Sequence, residues 1–128
     1  MSLPRRFSIS IDGKPVGMPR ENPEQMPLAK AADYGDQPAV FEIRDDHLVS
    51  GPLAMGRRNM EDRSMRPKNV VWCTMDQMYE LQPVHVEDRG NGPELSFSGC
   101  KLALVEGQIV CPLFPGMTPD QRVEIRPE

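Results

Sequence analysis

Apolar residues recur at every second position along most of this chain, and no window of eleven or more residues carries a helical period, so the pattern predicts strands. The longest run is 94–113, ELSFSGCKLALVEGQIVCPL. Cys100, Leu102 and Leu104 alternate with Lys101 and Ala103, Glu106-Gly107 supplies a turn, and Ile109, Cys111 and Leu113 alternate on the return. Successive side chains point to opposite faces, so a register whose paired numbers sum to an odd value puts those six residues on one face. That face is the expected core, with Leu102 and Ile109 fully buried. One such register sets Cys100 directly opposite Cys111, where a disulfide is geometrically conceivable. The other sets them diagonally as free thiols, which is the expectation.

The rest of the chain reads the same way. Phe7, Ile9 and Ile11 form a half-buried strand ending at Asp12-Gly13, with a brief return limited by Pro15. Residues 18–38 carry Pro19, Pro23, Pro27 and Pro38 without a sustained period, which predicts a long loop, either a lid over a site or a mobile tether. Within it, 28–34 (LAKAADY) is the one place where two helical turns are expected, stopped by Gly35. A strand over 39–44, the turn Asp45-Asp46 and a return over 47–50 follow, closed by Gly51-Pro52. A strand over 70–74, with the single tryptophan Trp72, is expected to pair with 80–87. DRGNGP (88–93) is a turn, 113–121 an irregular loop, and 122–126 a last strand with Val123 and Ile125 inward.

Eight or nine short strands joined by long Pro- and Gly-rich loops make the expected fold all-β, one domain over 1–128. The architecture is an antiparallel sandwich or a small closed barrel. FEIRDDHLVSGPL shares its pattern with LALVEGQIVCPL, and FSISIDGKPVG is a poorer third copy, so a trefoil-like pseudo-symmetric barrel is among the candidates. Composition agrees: 38% apolar residues, 5% aromatics, fourteen prolines and ten glycines suit short strands rather than a helical bundle. A run of about eighteen apolar residues is missing, which excludes a transmembrane helix.

The net charge of −4 argues against nucleic acid and anionic lipid as partners. Three cysteines without CxxC spacing or a histidine pair give no zinc ligand set, so neither a metal nor a cofactor is expected. MSLPRRFSIS has no apolar stretch behind its arginines, so no secretory signal is expected. The expectation is a reducing compartment such as the cytoplasm, with a secreted mature form as the alternative.

Chemistry-bearing residues are few. Cys73 and His85 form a thiol–imidazole couple if their strands pair, although a buried thiol and a solvent-facing histidine are the plainer reading. The main candidate is the basic segment 56–68, GRRNMEDRSMRPK, in an otherwise acidic chain. Arg57, Arg58 and Arg63, followed closely by Trp72, offer planar donor forks and an aromatic surface for an anionic or polyhydroxylated ligand. Glu61 and Asp62 are the obvious internal competitors for those arginines.

Two functions follow. One is a non-catalytic recognition module whose loops bind a small molecule or a protein partner, an inhibitor of a hydrolase being one version. The other is a small barrel enzyme or ligand carrier with an interior pocket. A solid apolar core favours the first, and a polar interior the second.

Overall fold

Short alternating runs joined by two-residue turns build an antiparallel β protein. The computed structural model describes residues 3–88, 90 and 92–128. Among them are twelve strands: β1 (Phe7–Ile11), β2 (Lys14–Pro15), β3 (Glu42–Arg44), β4 (His47–Ser50), β5 (Leu53–Arg57), β6 (Lys68–Thr74), β7 (His85–Asp88), β8 (Pro93–Phe97), β9 (Cys100–Lys101), β10 (Ala103–Val105), β11 (Gln108–Cys111) and β12 (Val123–Pro127). They form three antiparallel sheets, ordered β12-β1-β2, β10-β11-β6-β5-β4-β3 and β7-β8-β9. No sheet closes on itself among the described residues. The barrel and trefoil expectations are therefore corrected to open sheets in a sandwich-like all-β fold.

Turn chemistry explains the hairpins. Asp12-Gly13, Ser98-Gly99 and Glu106-Gly107 each have both φ angles positive, the geometry whose twist matches the flanking strands. Asp45-Asp46 does the same without glycine, at φ 52 and 63, a conformation that aspartate tolerates better than most residues. Of the predicted 88–93 turn, Arg89 and Asn91 lie outside the described residues, while Asp88 pairs with Pro93 as β7 meets β8.

The 94–113 run proves to be two hairpins. Phe97 pairs with Cys100 across Ser98-Gly99, and Leu104 pairs with Ile109 across Glu106-Gly107. The chain leaves one sheet and enters another at Leu102, which stays buried. Cys111 lies opposite Lys68, and Cys73, Cys100 and Cys111 are all free thiols.

A strand absent from the sequence reading lies near the middle of the largest sheet. Along β5 both faces are covered, so Leu53-Ala54-Met55-Gly56-Arg57 shows no polar–apolar alternation. Strand β6 pairs with β5 and β11, whereas β7 pairs with β8, which corrects the expected 70–74 pairing with 80–87. The registers align Ile43, Leu48, Met55 and Trp72 as one row across four strands. That row packs on Phe7, Ile9 and Ile11 of β1 and on Leu95 and Phe97 of β8, so all three sheets share one apolar core.

The predicted helix at 28–34 is likewise overturned. Beyond Val110 and Asn69 the strands β6 and β11 diverge, and segment 27–31 threads between them in extended form. Trp72 N–H donates to Pro27 O at 2.9 Å, Ala29 N–H to Val70 O at 2.8 Å, Ile109 N–H to Ala29 O at 2.9 Å and Ala31 N–H to Gly107 O at 2.8 Å. Buried backbone groups demand partners, and these bonds outweigh the helix preference of Ala and Lys. Among the described residues the helices are short 3-10 turns, Pro23–Gln25 and Met75–Glu80. The edge of β10 is closed by the Gln121 side chain, which accepts from Leu104 N–H at 2.7 Å and donates to Leu104 O at 2.8 Å.

Leu102→Ala opens a cavity in this core and is expected to cost about 2–5 kcal/mol. Lys101→Ala removes only an exposed contact to Glu94 at 3.1 Å and is expected to stay within about 0.5 kcal/mol. Urea melts of the two variants check the order, and a larger loss for Lys101→Ala would contradict the observed register.

Candidate functional site

Arg57 ends β5 on the same face as Met55, because alternation along the strand turns it inward. Its side chain is only 10% exposed, and Glu61 lies four residues on in the loop that follows. Arg57 Nε donates to both Glu61 carboxylate oxygens at 3.0 Å, Nη2 donates to Oε1 at 2.9 Å, and Nη1 donates to Phe97 O at 3.4 Å. Glu61 holds Arg57 further into its protonated range than usual, outweighing the opposing effect of burial. Lys68, equally buried, donates from Nζ to Asp62 O at 2.9 Å, Asp62 Oδ1 at 3.1 Å and Ser64 O at 2.7 Å. Much of the basic segment's charge is thus used to fold the loop between β5 and β6 back on itself.

The other three candidates lie apart. Arg58 points away from Arg57 and sits 3.9 Å from Glu80. It lines a polar basin of about 350 Å³ together with Arg66 and Lys68. Arg63 is exposed on the loop. Trp72 is fully buried, stacked on Phe41 with ring centroids 5.7 Å apart and planes 12° apart. None of the concavities described for this structure gathers Arg57, Arg58, Arg63 and Trp72.

The cysteine–histidine couple also lacks its geometry. Cys73 faces Ala54, Val71 and Leu81 on the back of the large sheet, and burial pushes its thiol up to about 11. Burial raises Cys111 to about 12. His85 is exposed on β7, away from β6. His47 is a structural clamp, its Nδ1 2.7 Å from Asp45 O and its Nε2 3.0 Å from Leu81 O. No three His, Cys, Asp or Glu side chains gather as a metal site among the described residues, and no described helix is long and apolar enough to cross a membrane.

A concavity larger than the basin beside Arg58 lies where the sequence shows only proline-rich loop. Segment 27–31 and its flanks form a strap beside the Glu106-Gly107 turn, and between them opens a groove of about 660 Å³. The strap is tied at several points: Gly17 N–H to Lys30 O at 3.0 Å, Met18 N–H to Gln37 O at 2.9 Å and Ala32 N–H to Pro15 O at 2.7 Å. Gly17 permits this closeness, since a β-carbon there would lie 2.8 Å from Ala32 Cα. At the strap's outer bend, Asp36 accepts from Arg20 Nε and from Asp33 N–H, and these two bonds, the backbone one first, hold its carboxyl below the usual range. Neither a lid nor a tether describes this segment, because its backbone bonds make it a wall of the groove.

Trp72 contributes to the groove's lining from beneath the strap, and its indole Nε1–H is buried without a hydrogen-bond partner. Native proteins rarely leave such a donor orphaned, since the loss costs about 1–3 kcal/mol. Around the groove stand Lys14, Arg20 and Lys30 together with Glu21, Asp33, Asp36 and Glu106. Trp72 stands out in the sequence, whereas these partners lie in three separate stretches without a shared local signal. Comparison of the chain with known protein families, with curated proteins and with solved structures finds no match.

Hydrogen bonds from the Ser64 hydroxyl and then from Lys68 hold Asp62 down, from its ordinary 3.8 to about 2. A depressed carboxylate stabilises the fold above its ordinary value and loses that contribution as pH falls through the folded value. Acid titration of stability is therefore expected to show a loss between about pH 4 and pH 2 that Asp62→Asn flattens. An unchanged acid limb in Asp62→Asn would show that this loop does not carry it.

Proposed function

We propose that this chain is a non-catalytic recognition module that takes a small polyhydroxylated ligand in the groove beside the strap. The observation that carries the reading is the preorganised concavity itself, walled by the backbone-tied strap and the Glu106-Gly107 turn and ringed by Lys14, Lys30, Asp33 and Glu106. A groove whose wall is already tied by backbone hydrogen bonds takes a ligand at little ordering cost. The groove's volume falls within the usual 300–1,000 Å³ range for small-molecule sites.

Charge favours a neutral ligand with both donors and acceptors. The carboxylates around the groove outnumber its cations by one, and Arg20 is already held by Asp36 and, at 3.3 Å, by Tyr34 O. An anion gains no net attraction there. Hydroxyl groups can accept from Lys14 and Lys30 and donate to Asp33 and Glu106. A solid apolar core fits the recognition reading better than a carrier or enzyme with a pocket inside a barrel.

A second reading, an anionic ligand, rests on the basin where Arg58 and Arg66 remain at the surface. Arg63 lies on the same loop, although it does not line the basin.

Titration of a panel of sugars and polyols is expected to change the emission of the single tryptophan. Lys14→Ala/Lys30→Ala is expected to weaken the best binder, by roughly 2- to 13-fold for each hydrogen bond of about 0.5–1.5 kcal/mol. Arg58→Ala/Arg63→Ala should leave that binder unaffected. The opposite pattern, with salt-sensitive binding of anions, would place the ligand at the basin; a panel without any binder would sink the groove reading.

A further inference from the structure

The back of the large sheet carries a second feature that is independent of the groove. There Ala54, Val71, Cys73 and Leu81 form a separate buried cluster, covered by the partly buried Met26, Met75 and Met78. Four of its seven residues bear sulfur, and they come from three elements. Cys73 rises from β6, Met26 is the C-cap of the first 3-10 helix, and Met75 and Met78 belong to the second. Residues three apart eclipse in a 3-10 helix, so Met75 and Met78 share one face of it.

The two 3-10 helices that bear the methionines are tied together. Gln77 accepts from Thr74 N–H at 3.1 Å and donates to Glu24 O at 2.8 Å, joining the two helices over the sheet. Met26 holds the left-handed conformation at φ 51, closed by its N–H to Pro23 O at 3.1 Å. That backbone is costly for a residue with a long side chain, and such strain persists only where the surroundings enforce it.

We propose that Cys73, Met26, Met75 and Met78 form a binding site for one soft monovalent cation of the Cu(I) or Ag(I) class. Thiolate and thioether donors select such ions over zinc, magnesium or calcium. A monovalent ion also balances charge at Cys73 itself. Binding forms a metal–sulfur bond at Cys73 and releases its thiol proton to solvent, so one thiolate and one M⁺ leave the buried cluster neutral. Thioethers do not titrate in this range, so the three methionines can accept a cation without further proton release.

The test uses Ag(I), which is redox-inert, added as the nitrate to chloride-free Cys100→Ala protein so that the half-buried thiol does not compete. Spectra of methyl-labelled methionine are expected to show three resonances moving together and saturating at one equivalent. Leu substitutions assign these to Met26, Met75 and Met78. The exposed Met60 and Met65 should not move at that point. Met26→Leu/Met75→Leu/Met78→Leu preserves the apolar packing and is expected to lower Ag(I) affinity at least tenfold while unfolding normally in urea. Cys73→Ala is expected to abolish binding at the first equivalent. Methyl shifts at Met60 or Met65 first, or undiminished affinity in the triple variant, would overturn the site and leave the cluster as packing alone.

Discussion

The contact on which the rest of this structure depends is the aromatic column of Phe7, Phe41 and Trp72. Phe7 and Phe41 exchange backbone hydrogen bonds at 2.9 and 2.7 Å, and their rings lie 6.3 Å apart. Phe41 then stacks on Trp72. The column joins the sheet built on β1 to the six-stranded sheet built on β5 and β6. In a chain with few aromatic residues, these three supply a large share of the apolar area at the centre. Removing any one of them would separate layers, because few other large side chains can fill the gap.

The same tryptophan couples the core to the surface. Its backbone N–H anchors the strap at Pro27, its ring supports Phe41, and its indole N–H has no protein acceptor. The groove above it is therefore rigid at its base, and part of its charged rim is tied as well, by Lys30 to Glu21 at 3.5 Å and by Arg20 to Asp36. The strap achieves its rigidity without regular structure. It borrows the backbone partners that β6 and β11 can no longer offer each other, and Gly17 lets its two limbs touch.

The buried charge in this protein serves folding. Arg57 and Lys68 are buried at the ends of neighbouring strands, and each is satisfied by a nearby acidic residue and by carbonyls. Truncating one partner of such a pair costs more than the pair contributes, since the other charge remains desolvated. A basic stretch in an acidic chain can therefore be a structural device, and here the spacing of Glu61 from Arg57 and of Asp62 from Lys68 makes it one.

The amino-acid sequence by itself determined the class of fold and most of its turns. Period-two runs at Phe7–Ile11 and through Leu104 to Ile109, with Asp-Gly, Asp-Asp and Glu-Gly turns between strands, are local signals that physical chemistry reads directly. The burial of Leu102 and Ile109 and the exposure of Lys101 follow from alternation alone. What only the tertiary structure decided is where local signals are weak or misleading. Strand β5 was invisible because both of its faces are covered, which erases alternation. LAKAADY became an extended wall because unpaired backbone groups on β6 and β11 outcompeted helix propensity. The break at Leu102 depends on which sheet each half of the run can join. The groove around Lys14, Lys30 and Glu106 could not be read at all, since its residues come together only when the strap is threaded between two diverging strands.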